Sequence, residues 1–250
     1  MSEYRPARLI VDRPQNGFWN MAVDEALMQT VGESPDSLPV VRFYQWSEPT
    51  LSLGYFQQVA DRISHSTSLD CPLVRRNSGG GAILHDAELT YSVTLPEQRA
   101  HSKDSAGLYE NVHQVLAAEL ESWGAQATLN DRLEKKLEKN FLCFQRRAPR
   151  DLLLSGHKIG GSAQRKKHQA LSQHGSLILK TSSFAPEITG TIDITGQPID
   201  VEGLVSGLAR RLSEALHLEL QAGDLSSREK ILAAEIEKVK FSTLNWNGRR

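Results

Sequence analysis

Residues 75–86 read RRNSGGGAILHD, and the reading of the whole chain turns on them. Gly79, Gly80 and Gly81 stand between two short strand-like runs, 73–76 and 83–84. Glycine weakens a strand, so three together suit a backbone that turns through positive φ or comes close to a ligand. Arg75 and Arg76 precede the triplet, each a planar fork of donors matched to phosphate or carboxylate. Ser78 lies beside it, and Ala82, Ile83, Leu84, His85 and Asp86 complete the run. A glycine-rich hairpin with surface arginines fits the same letters. The stretch is neither the phosphate loop GxxxxGK[ST] nor the dinucleotide fingerprint GxGxxG.

Outward from this stretch the pattern of short strands and tight turns recurs. Residues 40–46 (VVRFYQW) are β-branched and aromatic, 50–54 (TLSLG) and 89–95 (LTYSVTL) alternate, and 9–11, 152–154 and 176–179 read as further strands. The spacing predicts helices over 21–30, 105–123, 201–218 and 228–239. In the second of these, Leu108, Val112, Val115, Leu116 and Leu120 share one face, and Gly124 ends it. The charge run at 132–140 (RLEKKLEKN) reads as a solvated face or loop. Glycine and proline turns between neighbouring strands predict hairpins. The expected fold class is therefore mixed α/β (α+β), mainly antiparallel or mixed sheets flanked by helices.

Composition narrows the function classes. The 250 residues are 39% hydrophobic and 24% charged, the make-up of a folded globular chain. Lys+Arg total 29 against 30 Asp+Glu, a net charge of -1, so there is no global basic field for nucleic acid. No run of about 18 apolar residues is present to span a membrane. The polar start MSEYRPARLIVDRP lacks the apolar core of a secretory signal, so a cytoplasmic location is expected. Two cysteines, Cys71 and Cys143, make no disulfide framework, which leaves two free thiols to consider.

A second cluster, GHKIGGSAQRKKHQALSQHG at 156–175, carries Lys158 beside Gly156, with Gly160, Gly161, Ser162 and Ala163 behind it. Small residues let a ligand pack on the backbone while the lysine projects over it from a glycine-containing turn. His174 and Gly175 follow. Alone, such a lysine is a solvated surface group and such a histidine a structural hydrogen-bonder. Arg165, Lys166, Lys167 and His168 form one basic patch, and Arg146, Arg147 and Arg150 another.

Taken together, RRNSGGGAILHD, SGHKIGGSAQ and QHGSLIL resemble the lipoate–protein ligase and octanoyltransferase family, as do NMAVDEAL at 20–27, RFYQWSEPTLSLGYFQ at 42–57 and, more loosely, FSTLNWNGR at 241–249. The resemblance keeps motif order over nearly the whole chain. It implies a fold related to biotin–protein ligases and class II synthetases, spanning 1–250 as one catalytic domain with a helical C-terminal part from about 200 to 250. It also implies an acyl tunnel beside the glycine loop. Arg75, Arg76, Ser78, Gly79, Gly80, Gly81, Ala82, Ile83, Leu84, His85, Gly160, Ser162, Ala163, His174 and Gly175 would line the acyl or nucleotide site, with Lys158 at the carbonyl end.

Two chemistries occur in that family. Ligases activate free lipoate with ATP and Mg²⁺. Transferases need no cofactor: they take an octanoyl group from acyl carrier protein, or a lipoyl group from lipoylated H protein, and place it on a lysine of a lipoyl domain or H protein. Transfer is favoured here by Cys143 in FLCFQRRAPRDLLLSGHK, since one octanoyltransferase branch carries a nucleophilic Cys-Phe at a similar distance before the lysine. SAQ followed by LSQHGSLIL is closer to that branch, and the chain ends soon after the catalytic module where many ligases continue into an accessory domain. Against it, Arg150-Asp151 stands where ligases have Asn-Asp; Asp151 would hold a metal only in ligase chemistry. A non-catalytic lipoyl-group binder is the remaining alternative. In the transferase reading a Cys143 thiolate attacks the thioester, Arg146, Arg147 and Lys158 are the cations expected near it, Lys158 stabilises the oxyanion, and the basic patches face acidic carrier and lipoyl domains. Cys71 matches no motif and reads as structural.

Overall fold

The computed structural model describes residues 4–97, 104–132 and 140–250. Most of the charge run at 132–140 lies outside the described residues. Strand β1 (Arg5–Val11) leads into helix α1 (Gly17–Val31), whose cap Asn16 accepts from the Trp19 N–H at 2.9 Å. β2 (Val40–Tyr44) lies parallel to β1. Alternation along it sends Val41 and Phe43 to one face and Val40 and Tyr44 to the other, each face meeting its own hydrophobic cluster. β3 (Thr50–Leu53), β4 (Leu73–Arg75) and β5 (Ile83–His85) form a separate three-stranded sheet in the order β4-β3-β5.

The large sheet is completed by β6 (Glu88–Pro96), β7 (Thr128–Leu129), β8 (Leu152–Leu154), β9 (His157–Lys167), β10 (Ala170–Ile178) and β11 (Leu218–Ala222). Its order is β11-β1-β2-β6-β10-β9-β8-β7, parallel where β1 meets β2 and β11 and antiparallel from β2 to β7. The fold is thus mixed α/β, with helices on both faces of a mixed sheet. Helix α2 (Asp104–Ser122) and α4 (Val201–Leu216) cover one face with Val112, Leu116, Leu120, Leu204, Leu208 and Leu212. Helix α1 and α5 (Ser227–Ile236) cover the other with Ala22, Ala26, Leu27, Ala233 and Ile236. A short α3 (Thr191–Thr195) follows β10, and α6 (Leu244–Asn247) ends the chain's regular structure. No helix among the described residues is long and apolar enough to cross a membrane.

Three sequence expectations shift. Lys158, expected in a turn, is the second residue of the eleven-residue β9; the turn falls one step earlier, at Ser155 (φ 48°) and Gly156 (φ 81°). The helix expected over 201–218 stops at Leu216, because His217 takes a left-handed conformation (φ 52°) and Leu218 pairs beside Arg5 at the sheet edge. The helix expected over 228–239 ends at Ile236 and widens into a π turn, Glu237–Phe241.

Arg75, expected at the ligand, points into the protein instead. It is fully buried, and its guanidinium donates to the carbonyls of Gly54 (3.0 Å), Gln57 (2.7 Å) and Asn247 (2.9 Å). Its own N–H takes the Asn247 side chain at 2.9 Å, and its carbonyl accepts from Trp246 Nε1 at 2.9 Å. The guanidinium is taken up in stapling α6 to the small sheet. We therefore expect Arg75→Lys to lower unfolding free energy by about 2–3 kcal/mol, since one ammonium cannot serve that fan of carbonyls. Urea unfolding checks this; an unchanged midpoint would remove Arg75 from the staple.

Candidate active site

The neighbouring Arg76 does face the site. It is 2% exposed, and it holds the glycine loop in shape: Nη1 donates to the Ser52 carbonyl (2.9 Å) and hydroxyl (2.7 Å), Nη2 to the carbonyls of Gly79 (3.2 Å) and Gly81 (2.8 Å). Burial brings its pKa down to about 10, partly offset by the adjacent Cys143, and it stays protonated at neutral pH. Gly80 takes φ 97°, which a side chain would strain. The loop then receives the 141–145 segment edge-on, with Ala82 N–H donating to the Phe141 carbonyl (3.0 Å) and Cys143 N–H to the Ala82 carbonyl (2.7 Å). Cys143 opens a single 3₁₀ turn, Cys143–Gln145, between buried Leu142 and Phe144.

From the opposite side, β9 brings Lys158. Its Nζ lies 3.8 Å from Cys143 Sγ and 2.7 Å from Asp151 Oδ2, with the Phe144 ring 5.3 Å away. Lys158 is 7% and Asp151 2% exposed. Gly161 makes room for this pair: a Cβ there would stand 2.8 Å from Lys158 Cε and 3.3 Å from Asp151 Oδ1. That contact explains the glycine at 161, inside a strand. Asp151 takes the lysine where the ligase alternative gave it a metal, so its carboxylate already has a cation.

These groups open onto a cavity whose empty space, open solvent at its mouth included, is about 510 Å³. Its walls include Arg76, Gly79, Gly80, Ile83, His85, Cys143, Lys158, Ser162, Ala163, His174 and Gly175 from the expected set, together with Met21, Tyr44 and Phe144. Ala82 and Leu84 face an adjoining apolar cavity of about 350 Å³ that shares Ile83 and Phe144. Ser78 donates or accepts at His174 Nε2 (2.6 Å) and borders a third space on the far side of His174. Gly160 packs against Leu152 of β8, and Gly81 against the Cys143 backbone. Arg146 sends its guanidinium to the Asn140 carbonyl and Arg147 is exposed, so the cations nearest the thiol are Lys158 and Arg76. Cys71 is buried, and burial pushes its thiol up, as fits a packing role.

Several partners of the expected residues escaped sequence reading. His85 stacks on Trp46 (3.8 Å between centroids) and bridges Ser52 Oγ (2.6 Å) to Glu88 Oε1 (2.7 Å). Ser162, at the cavity wall, bonds His113 Nε2 (2.6 Å) and Tyr91 OH. Tyr109, one turn before His113 on α2, reaches Asp151 Oδ1 at 3.4 Å. The only signal for Tyr109 and His113 was their i,i+4 spacing beside the apolar stripe of α2. Tyr91 occupies an inward strand position indistinguishable from its neighbours Leu89 and Val93. Burial pushes both His113 and His174 down to about 4 and Tyr91 up to about 12.

Comparison with known proteins bears on this site. A family model described as the lipoyl protein ligase A/B catalytic domain matches residues 16–192. Among curated proteins, octanoyltransferase LipM of Brevibacillus brevis is 30% identical, covering 97% of this chain and 99% of that protein. The LipM of Clostridioides difficile is 31% identical over 97% and 98%. Among solved structures, a T. acidophilum protein with bound lipoic acid superposes with a TM-score of 0.81 at 23% identity (98% of this chain, 100% of that one), and a lipoate-protein ligase A bound with ATP with 0.78 at 21% (97% and 98%). At these identities the structural likenesses establish the fold.

The two neutral imidazoles give a pH dependence. Their folded pKa of about 4 lies below the ordinary value of 6.5. Below 6.5 the unfolded chain binds protons that the native state refuses, so the stability is present above 6.5 and lost as pH falls through about 4. The wild type should therefore lose more in Tm between pH 6.5 and 4 than a His113→Gln/His174→Gln variant, measured by thermal unfolding. Parallel losses would mean that these imidazoles are not held neutral.

Proposed function

We propose that this chain, which belongs to the lipoyl protein ligase A/B catalytic-domain family, is an octanoyltransferase that carries the acyl group on Cys143 and delivers it to a lysine of a lipoyl domain. Full-length likeness to LipM octanoyltransferases supports the reaction. The observation that supports the assignment to Cys143 is its sulfur 3.8 Å from the buried Lys158 ammonium, at the wall of a partly open, largely apolar cavity.

The chemistry runs as two acyl exchanges. The Cys143 thiolate attacks the carbonyl of an octanoyl thioester; the tetrahedral oxyanion collapses, the C–S bond to the donor breaks, and the donor leaves as a thiol after taking up a proton. The neutral ε-amine of the acceptor lysine then attacks the acyl-Cys143 carbonyl, the new C–S bond breaks, and the amine loses a proton as the amide forms. Lys158 is the donor placed beside the sulfur to hold the oxyanion in each exchange. Met21, Ile83 and Phe144 supply apolar wall for the tail, whose burial at about 0.8 kcal/mol per CH₂ amounts to roughly 5 kcal/mol. No cofactor enters either step.

The donor in this proposal is octanoyl acyl carrier protein, with lipoylated H protein as the alternative, and lipoyl domains or H protein are the acceptors. The patches expected to greet such acidic proteins are partly self-neutralised: Lys166 pairs with Glu97 (3.8 Å), Lys167 with Glu25 (3.5 Å) and Arg150 with Glu110 (3.1 Å). Arg165, Arg249 and Arg250 instead gather around the Tyr55 ring, with centroid distances of 5.6, 4.7 and 5.5 Å. They have no carboxylate partner among the described residues and offer a more available cationic rim.

Incubation with octanoyl carrier protein, without ATP, should add one octanoyl mass to the wild type. Hydroxylamine should release it and an apo-lipoyl domain should chase it. Cys143→Ser should lose transfer, Lys158→Ala should lower turnover roughly 10²–10³-fold, and Cys71→Ser should keep near-normal rates. Adduct on Cys71, or strict dependence on ATP, would overturn the reading.

A further inference from the structure

Lys158 is bound far more tightly to Asp151 than to the sulfur it serves. The ammonium sits 2.7 Å from Asp151 Oδ2 and 3.8 Å from Cys143 Sγ, the latter near the outer limit for an N–H donor to sulfur. Asp151 is itself fixed on every side. The Ala148 N–H donates to Oδ2 at 2.6 Å and Tyr109 OH to Oδ1 at 3.4 Å, while the Asn130 N–H holds its carbonyl at 2.8 Å.

The residue before it carries strain. Arg150 adopts φ 68°, a left-handed conformation costly for a side chain of its size. Helix α2 holds that corner closed: the His113 ring bonds the Arg150 carbonyl (2.6 Å) and Glu110 takes its guanidinium (3.1 Å). A strained backbone held by several independent contacts beside a reactive group points to a requirement on position. The groups facing Lys158 are then Asp151 from the corner, Cys143 from the 3₁₀ turn, Arg76 from the glycine loop, and Tyr109 and the neutral His113 from α2.

We propose that Asp151 is a positioning residue for acyl transfer: it anchors the Lys158 ammonium over Gly161 so that a free N–H stays available to the carbonyl oxygen instead of closing onto the Cys143 thiolate as an ion pair. An unanchored ammonium on a four-carbon stem, buried beside a thiolate, would settle on the sulfur and leave no N–H directed at the carbonyl oxygen. With Asp151 in place, one N–H goes to the carboxylate, Sγ lies at arm's length, and a further N–H remains for the oxyanion. This role rests on the Cys143 acyl-enzyme reading.

The test separates positioning from folding. In Asp151→Ala, kcat for transfer from octanoyl carrier protein should fall about 100-fold, with KM within about twofold. Cys143 alkylation by iodoacetamide should not slow below about a third of the wild-type rate, because the thiolate keeps its cation. Asp151→Asn, which retains an acceptor at the same place, should recover much of the kcat. If Asp151→Ala fails to fold, Gly161→Ala carries the test, since its Cβ displaces the ammonium and should give the same split between kcat and alkylation. Unchanged kcat, or alkylation falling in step with kcat, overturns the proposal. The octanoyl adduct of the wild type, measured in the same series, keeps the two readings apart: its absence sinks the Cys143 mechanism, whereas its presence with an unaffected Asp151→Ala sinks only the role of Asp151.

Discussion

A buried guanidinium without a carboxylate must find carbonyls, and Arg76 finds those of the glycine loop. Its bonds to Gly79, Gly81 and Ser52 convert the most flexible residues of the chain into a fixed rim. That rim is the surface on which the Cys143 segment lies, main chain to main chain. Ser52 passes the constraint on through His85 to Glu88, whose Oε1 also accepts from Ser176 of β10 at 2.8 Å. A polar chain thus links the small sheet to the large one behind the cavity. Glu88 Oε1 gathers His85, Thr90 and Ser176, while its Oε2 is buried with no hydrogen-bond partner among the described residues.

The cavity forms where separately packed bodies meet. Cys143 and Phe144 belong to the cluster around the small sheet, Met21 and Tyr44 to the cluster under α1, and the hairpin of β9 and β10 supplies Lys158, Ser162 and His174 across the gap. None of the bodies carries the chemistry alone. The thiol sits on an irregular 3₁₀ turn and the ammonium on a long regular strand, so the proposed nucleophile comes from an irregular connection while the sheet fixes the charge.

Much of this was legible in the sequence, for identifiable reasons. The strands at 40–46, 50–54 and 89–95 announced themselves by β-branched alternation, and α2 by its apolar stripe, because those periods are set by burial on one face. Cys143 and Lys158 came from motif order, and the fold brings them together. Arg75 and Arg76 could not be told apart: identical neighbours at a strand's end point to opposite sides, and only the position of Asn247, far along the chain, decides which one is consumed by the backbone. Gly160 and Gly161 read as a turn because glycine inside a strand is normally a loss. What reverses the sign is the pair lying over Gly161, a contact made by residues 151 and 158 once β8 and β9 pair. His113 and Tyr109 were invisible because hydrophobic periodicity carries no information about the polar residues flanking a stripe.

The charge state of the cavity follows from these placements. Two cations line the cavity with the sulfur, Lys158 at 3.8 Å from it and Arg76 at the glycine loop. Burial above all holds both imidazoles neutral, helped by Arg76 near His174 and Lys158 near His113 and opposed at His174 by Asp24. Charged imidazoles would raise the field everywhere in the cavity and blunt the contrast between carbonyl and oxyanion. Kept neutral, they serve only as hydrogen-bonding struts, His174 for Ser78 and His113 for Ser162. In a space shielded by Phe144 and Met21, the directed charge beside the thiol is then the ammonium that Asp151 holds, and in the proposed reaction its pull on a developing oxyanion is the greater for the low local dielectric.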